Sequence, residues 1–84
     1  MSESELIEQL ADKEHASWAH WMRYLFSRCV DIEGYEYVLI PRALAERWKR
    51  QAETPYAHLS EQEKQSDRDE VAHILPIIHK YFQE

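Results

Sequence analysis

Apolar residues in the first part of the chain recur every three or four positions. Over SESELIEQLADKEHASWAHWMRYLFSRC, residues Ile7, Ala11, Trp18, Met22, Leu25 and Cys29 fall on one stripe of an α-helix. Ser2 or Ser4 suits the N-cap, and Glu3, Glu5 and Glu8 sit where the helix dipole favours acids. Leu6, Leu10, Trp21 and Tyr24 widen the stripe on one flank and Phe26 on the other, so the apolar arc spans roughly 200°, well beyond the usual width. One neighbouring helix cannot cover that arc. Either two elements flank the first helix, or a second subunit does.

After Cys29 the pattern changes. CVDIEGYEYVLIP places β-formers on both sides of Gly34 and predicts a short hairpin, or two extended arms, turning near Glu33 and Gly34. Pro41 suits the first turn of a second helix, Pro41 to Glu53, with Leu44 and Trp48 inward. Thr54 ends it, because Pro55 disfavours helical geometry at the residue before it. Ser60 and Glu63 make a capping box for a third helix, Glu61 to about Phe82. Pro76 lies inside that helix, so a kink or a split near Leu75 is expected. Residues 1–84 thus form one mainly α domain of three helices, with a minor β-hairpin between the first and second.

Two of these helices break their own apolar stripe with ionisable groups. On the third, Val71, Ile74, Leu75, Ile78 and Phe82 set the face, and stepping back from Val71 lands on Arg68, Asp67 and Lys64. On the first, stepping back from Trp18 lands on His15 and Glu14. If the two helices pack together, these charges can meet. They then form either an ion-pair network that fixes helix register or the wall of a polar pocket beside aromatic rings.

Charge and composition narrow the chemistry. A hydrophobic content of 44% with 12% aromatic residues suits a folded domain, and a single cysteine excludes an internal disulfide and a cysteine-only metal site. The acidic start and the absence of an apolar run of membrane length point to the cytoplasm. A net charge of −6 repels nucleic-acid polymers, yet RALAERWKRQ sets Arg42, Arg47, Lys49 and Arg50 against one acid, Glu46. Such a patch is either a solvated helix face or a seat for a small anion. There is no glycine-rich phosphate loop, no H-E-x-x-H and no nucleophile beside a base, and the five histidines lack the spacing of a helical metal pair. The expectation is a protein without catalysis, cofactor or metal.

The residues on the interrupted stripes also carry a likeness. EHASW, with His15 and Trp18, and PYAHLSEQEKQSDR, with Pro55, Tyr56, Leu59, Glu63, Lys64, Asp67 and Arg68, resemble the ryanodine-receptor repeat (RyR) domain. The W-x-R-Q-x-x-T-P-Y segment from Trp48 through Arg50 and Gln51 to Tyr56 is similar to short proteins of bacteriophages and bacteria. The chain departs from RyR repeats after the first helix, where CVDIEGYEYVLIPRALAER replaces a glycine- and aromatic-rich turn. The resemblance implies a compact helical fold with a small strand pair. It also implies recognition of a nucleotide-derived signal such as a cyclic ADP-ribose isomer, in the manner of a phage protein that sequesters an immune messenger.

The residue types suit that role. Trp18 or Tyr56 can stack on a base, Lys64 and Arg68 can pair with phosphate, and Glu14 and Asp67 can hold a ribose or orient an arginine; His15, Trp48 and Arg50 complete the candidate ligand-binding set. The expected partners are a small ligand and further copies of the chain. The rival expectation is an interaction module that docks on a host or virion protein through the aromatic face of the first helix.

Overall fold

The computed structural model describes residues 1–83. Helix α1 spans Glu3–Arg28, strands β1 and β2 span Val30–Asp31 and Val38–Leu39, α2 spans Arg42–Glu53, and α3 spans Glu61–Gln83, with a 3-10 turn at Tyr56–His58. The protein is mainly helical, with three helices and a small antiparallel hairpin between the first two.

Local chemistry sets these boundaries. Ser2 is the N-cap of α1, its hydroxyl accepting from the Glu5 amide at 3.1 Å. The helix closes at Cys29, whose backbone is extended and whose amide donates to Phe26 at 3.2 Å. Ile32 to Tyr35 make the hairpin turn, with a 3.1 Å bond from the Tyr35 amide to the Ile32 carbonyl. Gly34 has φ +87° there while no other described residue has positive φ, the signature of a type II turn. The two strands register Val30 with Leu39 and Asp31 with Val38.

At the start of α3 the capping box forms in both directions: the Glu63 amide donates to Ser60 Oγ and the Ser60 amide to Glu63 Oε1, each at 3.2 Å. Of the kink or split expected at Pro76, the split does not occur. Helix α3 runs unbroken through the proline, because one missing amide removes one bond while the turns on both sides hold theirs.

Helices α1 and α3 supply the main packing, with Ser17 Oγ donating to Glu70 Oε2 at 2.8 Å near the middle of both. Trp21 and Tyr24, near the end of α1, share a cleft with Ser66 and Glu63, near the start of α3, so the two helices are antiparallel. Leu6, Leu10, Met22 and Leu25 of α1, Cys29 just past its end, and Ile74, Ile77, Ile78 and Tyr81 of α3 are half-buried. No described residue is fully buried.

The arrangement is spread out. The radius of gyration is 17.1 Å, whereas a compact chain of this length has about 12 Å. Its extents are 54 × 34 × 16 Å, a slab little thicker than one helix layer.

Candidate ligand cleft

The second half of α1, the second half of α2 and the first two turns of α3 line an open cleft of about 1140 Å³. Aromatic rings line it in sequence. Trp21 and Tyr24 lie edge-to-face with centroids 6.2 Å apart, and Tyr24 meets Trp48 of α2 edge-on at 6.3 Å. Trp21 and Tyr24 are neighbours because three residues nearly complete a helical turn, and Tyr24 is the bridge from α1 to α2.

The polar side of the cleft is organised by Glu63. Its Oε2 accepts from Arg50 Nη2 at 3.0 Å and from Gln51 Nε2 at 2.6 Å, and its Oε1 accepts from the Ser60 amide. The Ser60 hydroxyl and Gln51, helped by the Ser60 amide and Arg50, hold the Glu63 carboxyl down at about 2, against an ordinary value of 4.5. Glu63 is therefore ionised through the physiological range. One carboxylate thus ties the end of α2 to the start of α3 and aims Arg50. Arg47 and Asp67 also line the cleft, and neither has an ion pair or hydrogen bond among the described residues.

The candidate residues divide into three places. Trp48, Arg50 and Asp67 line the cleft. Tyr56, Lys64 and Arg68 gather beside it, on the outer side of α3: Lys64 Nζ lies 5.7 Å from the Tyr56 ring centre and 3.7 Å from Glu61. Arg68 donates to Glu61 at 3.4 Å and to Gln65 at 3.3 Å, and the Tyr56 hydroxyl, then Glu61, raise its already high pKa. Glu14, His15 and Trp18 sit on α1 away from both groups, with His15 and Trp18 ring centres 5.8 Å apart.

Antiparallel pairing centred on Ser17 and Glu70 sets Glu14 opposite about residue 73, roughly 7 Å along the helix from Arg68. A Glu14–Arg68 or Glu14–Lys64 pair is not formed, and the cations pair within α3 instead. Ten of the thirteen cleft residues lie outside the candidate set, among them Trp21, Tyr24 and Arg47. Trp21 and Tyr24 belong to the flank that made the α1 arc too wide, and Arg47 belongs to the basic patch of α2. Those two signals intersect in the cleft.

Among the described residues no three His, Cys, Asp or Glu side chains come together to hold a metal ion, and no helix is long and apolar enough to cross a membrane. The chain matches no protein-family model, no curated protein and no solved structure. The geometry is what a functional reading has to rest on.

Proposed function

We propose that the chain binds a small nucleotide-derived signalling molecule in the α1–α2–α3 cleft and carries out no chemistry on it. The observation that carries this reading is Arg47, with no ion pair or hydrogen bond among the described residues, in the same cleft as Arg50, Asp67 and the ring series Trp21–Tyr24–Trp48. A flat base is stabilised by stacking on aromatic rings, by roughly 1–3 kcal/mol. An unpaired guanidinium suits phosphate, and a free carboxylate suits ribose hydroxyls. The cleft has the capacity for a ligand of nucleotide size.

The RyR-like stretch from Pro55 to Arg68 supports the same class, because it supplies α3's part of the cleft. Within that class a cyclic ADP-ribose isomer is the ligand the resemblance favours. Sequestering such a messenger in a host cytoplasm would be the role of a phage counter-defence protein, working as a homo-oligomer. Docking on a host or virion protein is the competing reading, favoured by the exposed Trp18 and Phe26 of α1.

A thermal-shift screen of ADP-ribose, cyclic ADP-ribose isomers and cyclic dinucleotides tests the proposal. Ligand at a hundred times its Kd stabilises by about 2.7 kcal/mol, and a domain of this size then melts roughly 10–20 °C higher. Arg47→Gln and Trp48→Ala should each remove most of that shift. No shift with any of these ligands would overturn the reading.

A further inference from the structure

One side of the α1–α3 layer carries a run of exposed apolar residues, interrupted by Glu14 and His15 on α1 and ending in Lys64, Asp67 and Arg68 on α3, and the other side is polar. Ser17 and Glu70 mark the line of contact between the helices. Trp18 and Val71 are the next residue along each, about 100° further round. In antiparallel helices the same rotation leads to the same side of the layer. Ile7 shares that side with Trp18, and Leu75 and Phe82 share it with Val71. All five are exposed, from 42% for Leu75 to 79% for Phe82. Ala16 and Asp69, one residue before the contact line, mark the opposite side, which carries His20, Arg23, Gln62 and His73.

We propose that the Trp18–Val71 face is the contact with a second copy of this chain, so that two such layers close into one four-helix core. The area argues for it. A folded chain of 10.1 kDa exposes about 5,300 Å², and this one exposes 7129 Å². The excess is about 1,800 Å² per chain, shared between this face, the cleft and the exposed hairpin, so about 3,600 Å² is the upper bound for a pair, and a third of it already reaches the size of a stable interface. The occupant is a copy because no described residue is fully buried without one. A chain that needs a partner to acquire a core needs one that is always present where it is made. An isologous pair requires only this one self-complementary face. The cleft lies toward one end of the layer and is lined by other residues, so this inference does not depend on what the cleft binds.

Sedimentation and thiol labelling test it on the whole chain. Cys29→Ser removes the native thiol, and Val71→Cys or Asp69→Cys then places one thiol on either side of the layer. The expected result is a dimer, or a larger even-numbered assembly, at micromolar concentration. In it Val71→Cys reacts with a maleimide at least about tenfold more slowly than Asp69→Cys. The melting temperature of the unaltered chain should also rise with its concentration. A folded monomer, a melting temperature independent of concentration, or equal labelling of the two thiols would overturn the proposal. Labelling equal or reversed in a confirmed dimer would locate the contact elsewhere, whereas loss of nucleotide binding alone would leave it standing.

Discussion

Replacing Pro76 by alanine should make this protein more stable. Helix α3 continues for a further two turns beyond Pro76, so the proline neither caps nor ends it. Its ring nitrogen cannot donate to the carbonyl of Ala72, four residues back, and both residues are exposed, so the substitution removes no buried packing. Proline in a helix interior is disfavoured by about 3 kcal/mol relative to alanine. Alanine also frees the unfolded chain, which offsets about 0.4–1 kcal/mol of that gain. The net expectation is about 2 kcal/mol, or roughly 8–16 °C in melting temperature for a domain of this size. Far-ultraviolet circular dichroism on both proteins at one concentration measures it, the concentration being fixed because the proposed assembly would couple to stability. A melting temperature unchanged or lowered would refute the reasoning. It would mean that α3 is bent at Pro76 into a shape its assembled neighbours require.

Other expectations follow from single contacts. Because Glu63 is held at about 2 in the folded chain against 4.5 ordinarily, its stabilisation is present above about pH 4.5 and lost as pH falls toward 2. Glu63→Gln should flatten that part of a denaturant-midpoint-against-pH curve, and an unchanged slope would count against the network. Gly34→Ala should cost about 1 kcal/mol from backbone strain alone, since a Cβ there meets nothing within 4 Å, as read from urea midpoints. Ser17→Ala takes away a donor to the half-buried Glu70 and should cost about 1 kcal/mol by the same measurement, with Ser17→Thr recovering part of it. Arg68→Met with Asp67→Asn separates the two polar groups of α3. Isothermal titration should show binding weakened about as much by Asp67→Asn alone, because Asp67 lines the cleft and Arg68 does not.

The elements were legible because their signals are local. Ser2, Ser60 with Glu63, and Thr54 before Pro55 each fix a helix end within four residues, and the structure follows them to within a residue. Gly34 marked its turn for the same reason. At Pro76 the split, one of the two outcomes expected, is absent, since a break inside a helix depends on whether flanking turns are held, which local sequence does not show. Tertiary register was less legible. Periodicity identifies which residues share a face, but not which residue of α1 stands opposite which of α3. The Ser17–Glu70 bond sets that register, and neither residue stands out on an apolar stripe. The cleft therefore gathers residues that looked unrelated: the flank of α1, the basic patch of α2 and Asp67 of α3.

The charges that interrupt α3 can now be weighed. An ion-pair network fixing the register of α1 and α3 would need partners on α1, yet Lys64 and Arg68 both reach Glu61 on their own helix. Exposed pairs of that kind contribute a few tenths of a kcal/mol and specify no tertiary contact. Stability is thus a weak reason for them to stand where apolar residues would otherwise continue. Position is a better one. From Val71 onward the stripe is apolar, and that is the length of α3 that lies beside the first half of α1. Before Val71, α3 leaves that stretch and meets α2 and the Tyr56 turn, where Asp67 opens to the cleft and Lys64 lies over the Tyr56 ring. An apolar stripe continued through residues 64–68 would extend the sticky face past the helix layer and into the cleft mouth. Under the proposed pairing, ending it in charge would confine association to the Trp18–Val71 face and leave the cleft wet and open to the proposed polar ligand.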